Sequence, residues 1–205
     1  MHNFDEKALL WDHDSKRVDL AKAVALAIKK NIPLSPTWNA LEYGAGTGLV
    51  GSFLHSHFKS LLMVDQSSQM VETACQKIKE LSWNNVSALC LDITQGQKIS
   101  QTFDFIFSSM VFHHIQDISQ ILEKFYNLLN KQGFLAIADL ILEDGDFHSS
   151  SFLGHLGFDL NQFSLWVKQA GFKNVQHQII YTMQKTTKQG VVKDFPIFLL
   201  WAQKS

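Results

Sequence analysis

The residues best suited to chemistry stand in one short segment, residues 41–51, which reads LEYGAGTGLVG. Gly44, Gly46 and Gly48 occupy alternate positions, so the backbone can turn sharply out of a strand and a ligand can approach it closely. The apolar residues that follow recur at helical spacing, and a helix N-terminus directs free amide groups toward a ligand on the loop. Glu42 directly precedes this glycine loop. The segment predicts a site for a nucleotide-like cofactor.

Two more acidic residues end the next predicted strands. Asp65 closes the apolar run LLMVD, and Asp92 follows the run VSALCL. In an open α/β sheet, ligands bind at the carboxyl ends of the strands. Asp65 follows the glycines by about 20 residues, a spacing that places a carboxylate on a ribose diol. Each acid alone is explained by a helix cap or a turn, but three of them beside one glycine loop predict a shared site.

A dinucleotide site is the alternative interpretation of the same residues. Residues 46–51 read GTGLVG, which matches G-x-G-x-x-G, and Asp65 supplies the downstream acid. A pyrophosphate favours the positive end of a helix, and Glu42 beside the loop repels it. An acid at this position favours a ligand that carries an ammonium or a sulfonium. A nicotinamide-dependent oxidoreductase is thus disfavoured by charge, but it stays the first alternative function.

The elements that must position these residues alternate between strands and helices. After an amphipathic helix from Ser15, five strands are predicted at residues 38–43, 61–65, 86–91, 103–107 and 134–142. A helix at 160–170 precedes two long strands, 175–183 and 195–202, whose polar connection predicts an antiparallel pair. The pattern indicates one α/β domain with an open, mostly parallel sheet and right-handed crossovers.

Length, charge and composition limit the classes of partner. A chain of 205 residues with a net charge of -1 fits one domain and has no long-range attraction to nucleic acid or anionic membrane. Arg17 is the only arginine, although arginine is best suited to binding phosphates. Cys75 and Cys90 are expected in the core of a protein from a reducing compartment. Without a secretory signal profile or a run of about 18 apolar residues, we expect a cytoplasmic protein without membrane or nucleic-acid partners.

The ordered motifs resemble those of class I S-adenosylmethionine-dependent methyltransferases, in the small-molecule branch with type-11/12-like domains. The motifs are EYGAGTG, LLMVDQSSQMVETA, ALCLDI, FDFIFSSMVFHHIQD and LLNKQGFLAIADL, over about residues 41–142. The resemblance implies a Rossmann-like three-layer sandwich with a mostly parallel seven-stranded sheet, its last strand antiparallel, and an N-terminal helical lid. It implies a single domain, 1–205, with a helical cap (1–36), a cofactor-binding half (37–142) and a substrate loop with the C-terminal strands (143–205).

The same resemblance implies the contacts of S-adenosyl-L-methionine, whose product is S-adenosyl-L-homocysteine. The methionine half is expected against the glycine loop and the end of the fourth strand, at Glu42, Gly44, Ala45, Gly46, Gly48, Ser108 and Ser109. The ribose is expected on Asp65, and the adenine against Gln66, Met70, Asp92 and Ile93. Trp11 is either part of a lid over the cofactor or a core aromatic residue that packs the first helix on the sheet.

Four histidines are candidates for contact with the methyl acceptor. Methyl transfer needs an aligned nucleophile and, where that nucleophile carries a proton, a base. His113 and His114 follow the fourth strand, and each is interpreted as a base, a helix cap or part of the pocket wall. His148, His155 and Phe147 lie in the irregular loop after the fifth strand and are candidates for contact with the acceptor. Their spacing matches no common metal-ligand pattern, so no metal is expected.

The predicted reaction is direct in-line transfer of a methyl group to an unidentified small molecule that is partly hydrophobic. The sequence does not choose among oxygen, nitrogen, sulfur and carbon acceptors, and it leaves the oligomeric state open. A non-catalytic protein that keeps the cofactor fold as a binding module is the second alternative.

Overall fold

The computed structural model describes residues 8–148 and 152–205. Within these residues the strands are β1 (Asn39–Tyr43), β2 (Ser60–Asp65), β3 (Val86–Cys90), β4 (Phe103–Ser109), β5 (Leu129–Leu140), β6 (Lys173–Thr186) and β7 (Val192–Gln203). They form one sheet in the order β3-β2-β1-β4-β5-β7-β6. Strand β7 is antiparallel to both β5 and β6, and the other neighbours pair in parallel.

The described α-helices are α1 (Ser15–Asn31), α2 (Leu49–Ser52), α3 (Ser68–Glu80), α4 (Ile118–Leu128) and α5 (Leu160–Gln169). Most of them begin at a side chain that accepts a hydrogen bond from a free N–H of the first turn, which is the usual N-cap arrangement. These caps are Asp14 on α1, Ser67 on α3, Asp117 on α4 and Asp159 on α5. The caps fix where each helix leaves the preceding strand or loop.

Two apolar clusters lie on opposite faces of the sheet. On one face, Val24 and Ile28 of α1 pack with Phe105 and Phe107 of β4. On the other face, helices α4 and α5 pack their apolar residues against the intervening strand positions, such as Ile106. Since successive side chains of a strand point to opposite faces, the buried strand β4 supplies both clusters. The result is the three-layer α/β sandwich predicted from the sequence, with its carboxyl edge left open.

The sheet order and the antiparallel last strand confirm the predicted fold class. Some predicted bounds differ: β5 begins at Leu129 rather than residue 134, and the helix after the glycine loop ends at Ser52 before a separate 3-10 turn at His55–His57. The hydroxyl of Ser52 donates to the carbonyl of Leu49 at 2.6 Å, a local bond that competes with helix continuation.

The prediction for the two cysteines is wrong. Cys75 and Cys90 are both exposed free thiols. Cys90 ends β3, which forms an edge of the sheet, and Cys75 lies on the outer side of α3. Beside them, Ala74 is buried, whereas Leu89 is exposed like Cys90 because β3 is an edge strand. None of the described helices has both the length and the apolar character that crossing a bilayer requires.

Candidate active site

The glycine loop connects β1 to α2 and has left-handed backbone at each alternate glycine. The φ angles are +68° at Gly44, +54° at Gly46 and +77° at Gly48. A Cβ atom at Gly44 would overlap the side chain of Val111, whereas a Cβ atom at Gly46 would meet only the sulfur of Met70, at 3.8 Å. Gly44 is therefore required for packing, and Gly46 leaves bare backbone beside open space.

That open space is a cavity of about 490 Å³ at the carboxyl edge of the sheet. Its inner wall is formed by residues of the glycine loop and the strand ends, among them Glu42, Gly44, Ala45, Gly46, Asp65 and Ser109. Its remaining walls include Trp11, Gln66, Met70, His113, His114, Phe147 and His148. The fold thus brings most of the predicted cofactor and acceptor residues to one cavity.

A second cavity of about 460 Å³ adjoins the first. It is lined by Asp92 and its neighbours Thr94 and Gln95, and it shares Asp65 and His114 with the first cavity. The shared residues make the two cavities adjacent parts of one trough across the ends of β1, β2 and β4. The residues predicted for the adenine are divided between them, because Gln66 borders both, Met70 borders only the first and Asp92 only the second.

Four predicted site residues line neither of these two cavities. The Ser108 hydroxyl donates to the carbonyl of Tyr43 at 2.8 Å, and Ile93 is buried among core residues. Gly48 lies against Met63. The backbone N–H of His155 donates to the carbonyl of His113 at 2.8 Å, so His155 ties the loop after β5 to the turn after β4. These residues support the site from outside its walls.

Glu42 is the most unusual charged group at the cavity. Its side chain is 3% exposed, and Oε1 accepts a hydrogen bond from the backbone N–H of Gly51 at 3.3 Å. Oε2 is buried and has no hydrogen-bond partner among the described residues. Burial raises the pKa of Glu42 to about 8, against smaller lowering effects of the Gly51 N–H and the Lys77 ammonium. Glu42 is therefore mostly protonated near neutral pH, and a cationic ligand would favour its ionised form.

Asp65 holds the glycine loop in its shape. Oδ2 accepts from the N–H of Gly46 at 2.7 Å, and Oδ1 accepts from the N–H of Ser67 at 2.9 Å. Asp65 also borders both cavities, which places its carboxylate at the junction of the trough. Asp92 instead caps a short 3-10 turn, Ile93–Gln95, by accepting from the N–H of Thr94 at 2.8 Å.

The histidines at the cavity are organised by a carboxylate that the sequence interpretation missed. Nδ1 of His113 lies 2.6 Å from Oδ1 of Asp139, a residue with no exposed surface near the end of β5. The rings of His114 and His148 lie 4.2 and 5.0 Å from the ring of His113, centroid to centroid. Burial and the neighbouring His113 lower the pKa of His148 to about 4, so His148 is uncharged near neutral pH.

The N-terminal segment is fastened to the glycine loop by three polar side chains, here called the Asp12 clamp: Asp12, Thr47 and Lys77. The Thr47 hydroxyl donates to Asp12 at 2.5 Å, and the Lys77 ammonium binds both Asp12 and the carbonyl of Thr47, the latter at 2.8 Å. The adjoining Trp11 is half-buried in the cavity wall, with the guanidinium of Arg17 3.7 Å from its ring centroid. This placement favours the lid interpretation of Trp11 over a core role.

Residues 41–135 match the family model of a methyltransferase domain. An uncharacterized methyltransferase of Schizosaccharomyces pombe is 29% identical over 145 residues, which are 67% of this chain and 51% of that protein. The chain therefore spans about half the length of that relative.

Two solved structures have the same fold. The YcgJ protein of Bacillus subtilis has a TM-score of 0.73 at 15% identity, over 89% of this chain and 98% of that one. Phosphoethanolamine N-methyltransferase 2 of Haemonchus contortus, solved in complex with S-adenosyl-L-methionine, has a TM-score of 0.71 at 18% identity, over 88% of this chain and 52% of that one.

Proposed function

We propose that this chain, whose residues 41–135 match the family model of a methyltransferase domain, is a class I S-adenosylmethionine-dependent methyltransferase that transfers a methyl group from S-adenosylmethionine to a small, partly apolar acceptor. The observation that carries the proposal is the combination of acidic side chains and bare glycine backbone at one cavity, where Glu42 and Asp65 line the same space as Gly44 and Gly46. A cation is the ligand that such an acidic wall favours. When bound, the cofactor supplies an activated methyl group, and the protein supplies alignment and charge.

The residues present fit this cofactor. Gly44 and Gly46 would lie along its methionine half, and Glu42 would face the positive charge of that half. Asp65, which borders both cavities, would bind the ribose hydroxyls. The second cavity, with Asp92 at its far end, has the room for the adenine. The division of the trough into two adjoining cavities suits a ligand with two parts.

The dinucleotide alternative is disfavoured by the charges at the glycine loop. A pyrophosphate resting on Gly46 would lie beside Glu42 and Asp65, two acidic side chains. Lys16, Arg17 and Lys185 also line this cavity, and Glu42 is mostly protonated near neutral pH. The charge that disfavours a pyrophosphate on Gly46 is therefore that of Asp65, whose Oδ2 accepts from the Gly46 N–H.

The outer part of the first cavity is where the acceptor would bind. Phe147 and Trp11 supply apolar surface there, and the histidines His113, His114 and His148 supply polar atoms. With the methionine half in part of this cavity of about 490 Å³, the remaining space fits one small group of the acceptor. Because the net charge is -1 and Arg17 is the only arginine, we assign a small-molecule acceptor, and not a nucleic acid, to this domain.

The test is binding of S-adenosylhomocysteine to the purified chain, measured by calorimetry, with Gly46→Ala and Gly190→Ala as a matched pair. Both glycines have positive φ and open space around the added methyl group, but only Gly46 borders the cavity. We expect Gly46→Ala to lower the affinity at least about tenfold and Gly190→Ala to leave it unchanged, with similar losses of stability. Equal affinities of the two variants for S-adenosylhomocysteine would show that the ligand does not bind at the glycine loop.

Binding alone does not separate an enzyme from a binding module. Transfer of radiolabelled methyl groups from S-adenosylmethionine to a library of small acceptors separates them. We expect a labelled product, and tight cofactor binding without any product across a broad library would favour the non-catalytic alternative.

A further inference from the structure

We propose that Asp139 is a positioning residue that fixes the ring of His113 in one tautomer, so that Nε2 of His113 accepts the proton of the methyl acceptor. The inference rests on the proposed function and deepens it, because it assigns one base among the histidines and one chemical class to the acceptor. That class consists of small molecules whose nucleophilic atom carries a proton, as a hydroxyl, thiol or protonated amine does.

The hydrogen bonds of Asp139 determine which atom carries the proton. Oδ1 accepts from the backbone N–H of Leu140 at 2.7 Å, and Oδ2 accepts from the backbone N–H of His113 at 3.2 Å. A carboxylate held by backbone donors acts as an acceptor. The third contact, 2.6 Å from Oδ1 to Nδ1 of His113, is then donated by the imidazole. A neutral His113 with its proton on Nδ1 leaves the lone pair of Nε2 free to accept.

Burial makes this arrangement rigid. His113 is 3% exposed and Asp139 is fully buried, so both the carboxylate and the ring are held by packing. His113 nevertheless borders the cavity that contains the glycine loop. Since Nδ1 is turned to Asp139, Nε2 is the ring nitrogen that remains for the cavity. A base positioned in this way needs no reorganisation before it accepts a proton.

The other groups around the His113 ring are compatible with a positive charge on it. The rings of His114, His148 and Phe152 lie within 4.2 to 6.0 Å, centroid to centroid. Burial, together with the charge of a protonated His113, lowers the pKa of His148 to about 4, so His148 stays uncharged beside a protonated His113. Behind it, Oε1 of Glu143 lies 3.6 Å from Nδ1 of His148. Asp139 supplies the negative charge that stabilises the protonated ring.

For an acceptor X–H, the X–H bond breaks, its proton moves to Nε2 of His113, and an electron pair of X forms the new bond to the methyl carbon. The sulfur–methyl bond of the cofactor breaks at the same time, and its electron pair stays on the sulfur. The proton leaves His113 to solvent after the product dissociates, so no further reactant is needed.

The tautomer of His113 is measurable without an acceptor. Histidine labelled with ¹⁵N gives long-range proton–nitrogen correlations that distinguish a protonated Nδ1 from a protonated Nε2, and His113→Gln identifies the signals of His113. In the wild-type chain, with S-adenosylhomocysteine bound, we expect Nδ1 protonated and Nε2 unprotonated at pH 7.5. In Asp139→Asn we expect a mixture of tautomers or the reverse one. A wild-type ring with its proton on Nε2, or an unchanged tautomer in Asp139→Asn, would overturn the proposal.

Two controls separate this inference from its premises. His177→Gln, on β6 and outside both cavities, should leave the His113 signals unchanged. Retained binding of S-adenosylhomocysteine by Asp139→Asn shows that the site is intact, whereas absence of binding by the wild-type chain would contradict the proposed function itself. If Asp139→Asn does not fold, the tautomer of His113 in the wild-type chain alone decides whether the proposal holds.

The acceptor class is tested with matched probes and radiolabelled S-adenosylmethionine. A panel of small phenols and thiols is compared with pyridine and dimethyl sulfide, whose nucleophilic atoms carry no proton near neutral pH. We expect labelled product only from the phenols or thiols, with rates about 10²–10⁴ lower in His113→Gln at unchanged cofactor affinity. Methylation of pyridine or dimethyl sulfide at a rate that His113→Gln leaves unchanged would overturn the assignment.

Discussion

Oε1 of Glu42 lies 3.3 Å from the backbone nitrogen of Gly51, and Oε2 of the same carboxyl group has no hydrogen-bond partner among the described residues. The lack of a side chain at Gly51 makes this possible, because a Cβ atom there would overlap Oε2. A buried polar atom without a partner costs free energy, and few such atoms occur in folded proteins. The protonation of Glu42 therefore offers a direct test of the proposed cofactor site.

Binding of the cofactor should release a proton from Glu42. The pKa of about 8 means that Glu42 is largely protonated at pH 7 in the free protein, and a cationic ligand should favour the ionised form. Calorimetry of S-adenosylmethionine binding at pH 7, in buffers of different ionisation enthalpy, should show release approaching about one proton. In Glu42→Gln this release should disappear. Equal proton release by the two proteins would show that Glu42 does not meet the charge of the ligand.

The stability of the free protein should depend on pH through the same group. The folded pKa of about 8 exceeds the model-compound value of 4.5, so the folded state binds more protons between these values and loses stability as pH rises through the window. Glu42→Gln lacks this loss. Between pH 5.5 and 8.5, its free energy of unfolding should therefore rise relative to that of the wild type by at least about 1.4 kcal/mol, the equivalent of one pKa unit. Urea unfolding at both pH values measures the difference, and parallel curves would contradict the assigned pKa.

Asp65→Ala should weaken cofactor binding by about 1.5–3 kcal/mol, because it removes charge-assisted hydrogen bonds to the ribose. The bond from the Gly46 N–H to Asp65 is also lost, so the loop should become less ordered. Asp159→Ala is the control, since Asp159 caps α5 and borders neither cavity. It should lower the melting temperature without changing the affinity for S-adenosylhomocysteine. Unchanged affinity in Asp65→Ala would mean that the ribose is held elsewhere.

Breaking the Asp12 clamp should speed the release of bound cofactor. Lys77→Met removes the ammonium that joins Asp12 to the carbonyl of Thr47, and with it the polar attachment of the segment that carries Trp11. We expect the dissociation rate of S-adenosylhomocysteine to rise several-fold in stopped-flow measurements. Lys79→Met, at an exposed position of the same helix, should not change it. If both variants release the ligand at the wild-type rate, Trp11 does not act as a lid.

The strands and the glycine loop were predictable because their signals are local. Apolar runs that end in an acid placed β2 and β3 within a residue of their observed bounds, and alternate glycines placed the loop. The contact between His113 and Asp139 was not predicted, although Asp139 lies at a strand end like the other acids. It depends on β4 and β5 being neighbours in the sheet, which sequence spacing does not establish.

The Asp12 clamp was missed for a similar reason. Its three residues lie 30 or more positions apart, and none stands out by type or spacing. The assignment of individual residues to the cofactor, the division of the domain at residues 36 and 142, and the cytoplasmic location remain predictions.

The most direct measurement of the central claim is a pair of calorimetric titrations of the wild-type chain, one with S-adenosylhomocysteine and one with NAD. We expect saturable binding of S-adenosylhomocysteine at one site, weakened in Asp65→Ala and in Gly46→Ala, and no binding of NAD. Saturable binding of NAD that Gly46→Ala abolishes, with no heat from S-adenosylhomocysteine, would place a diphosphate on the glycine loop and contradict the proposed function.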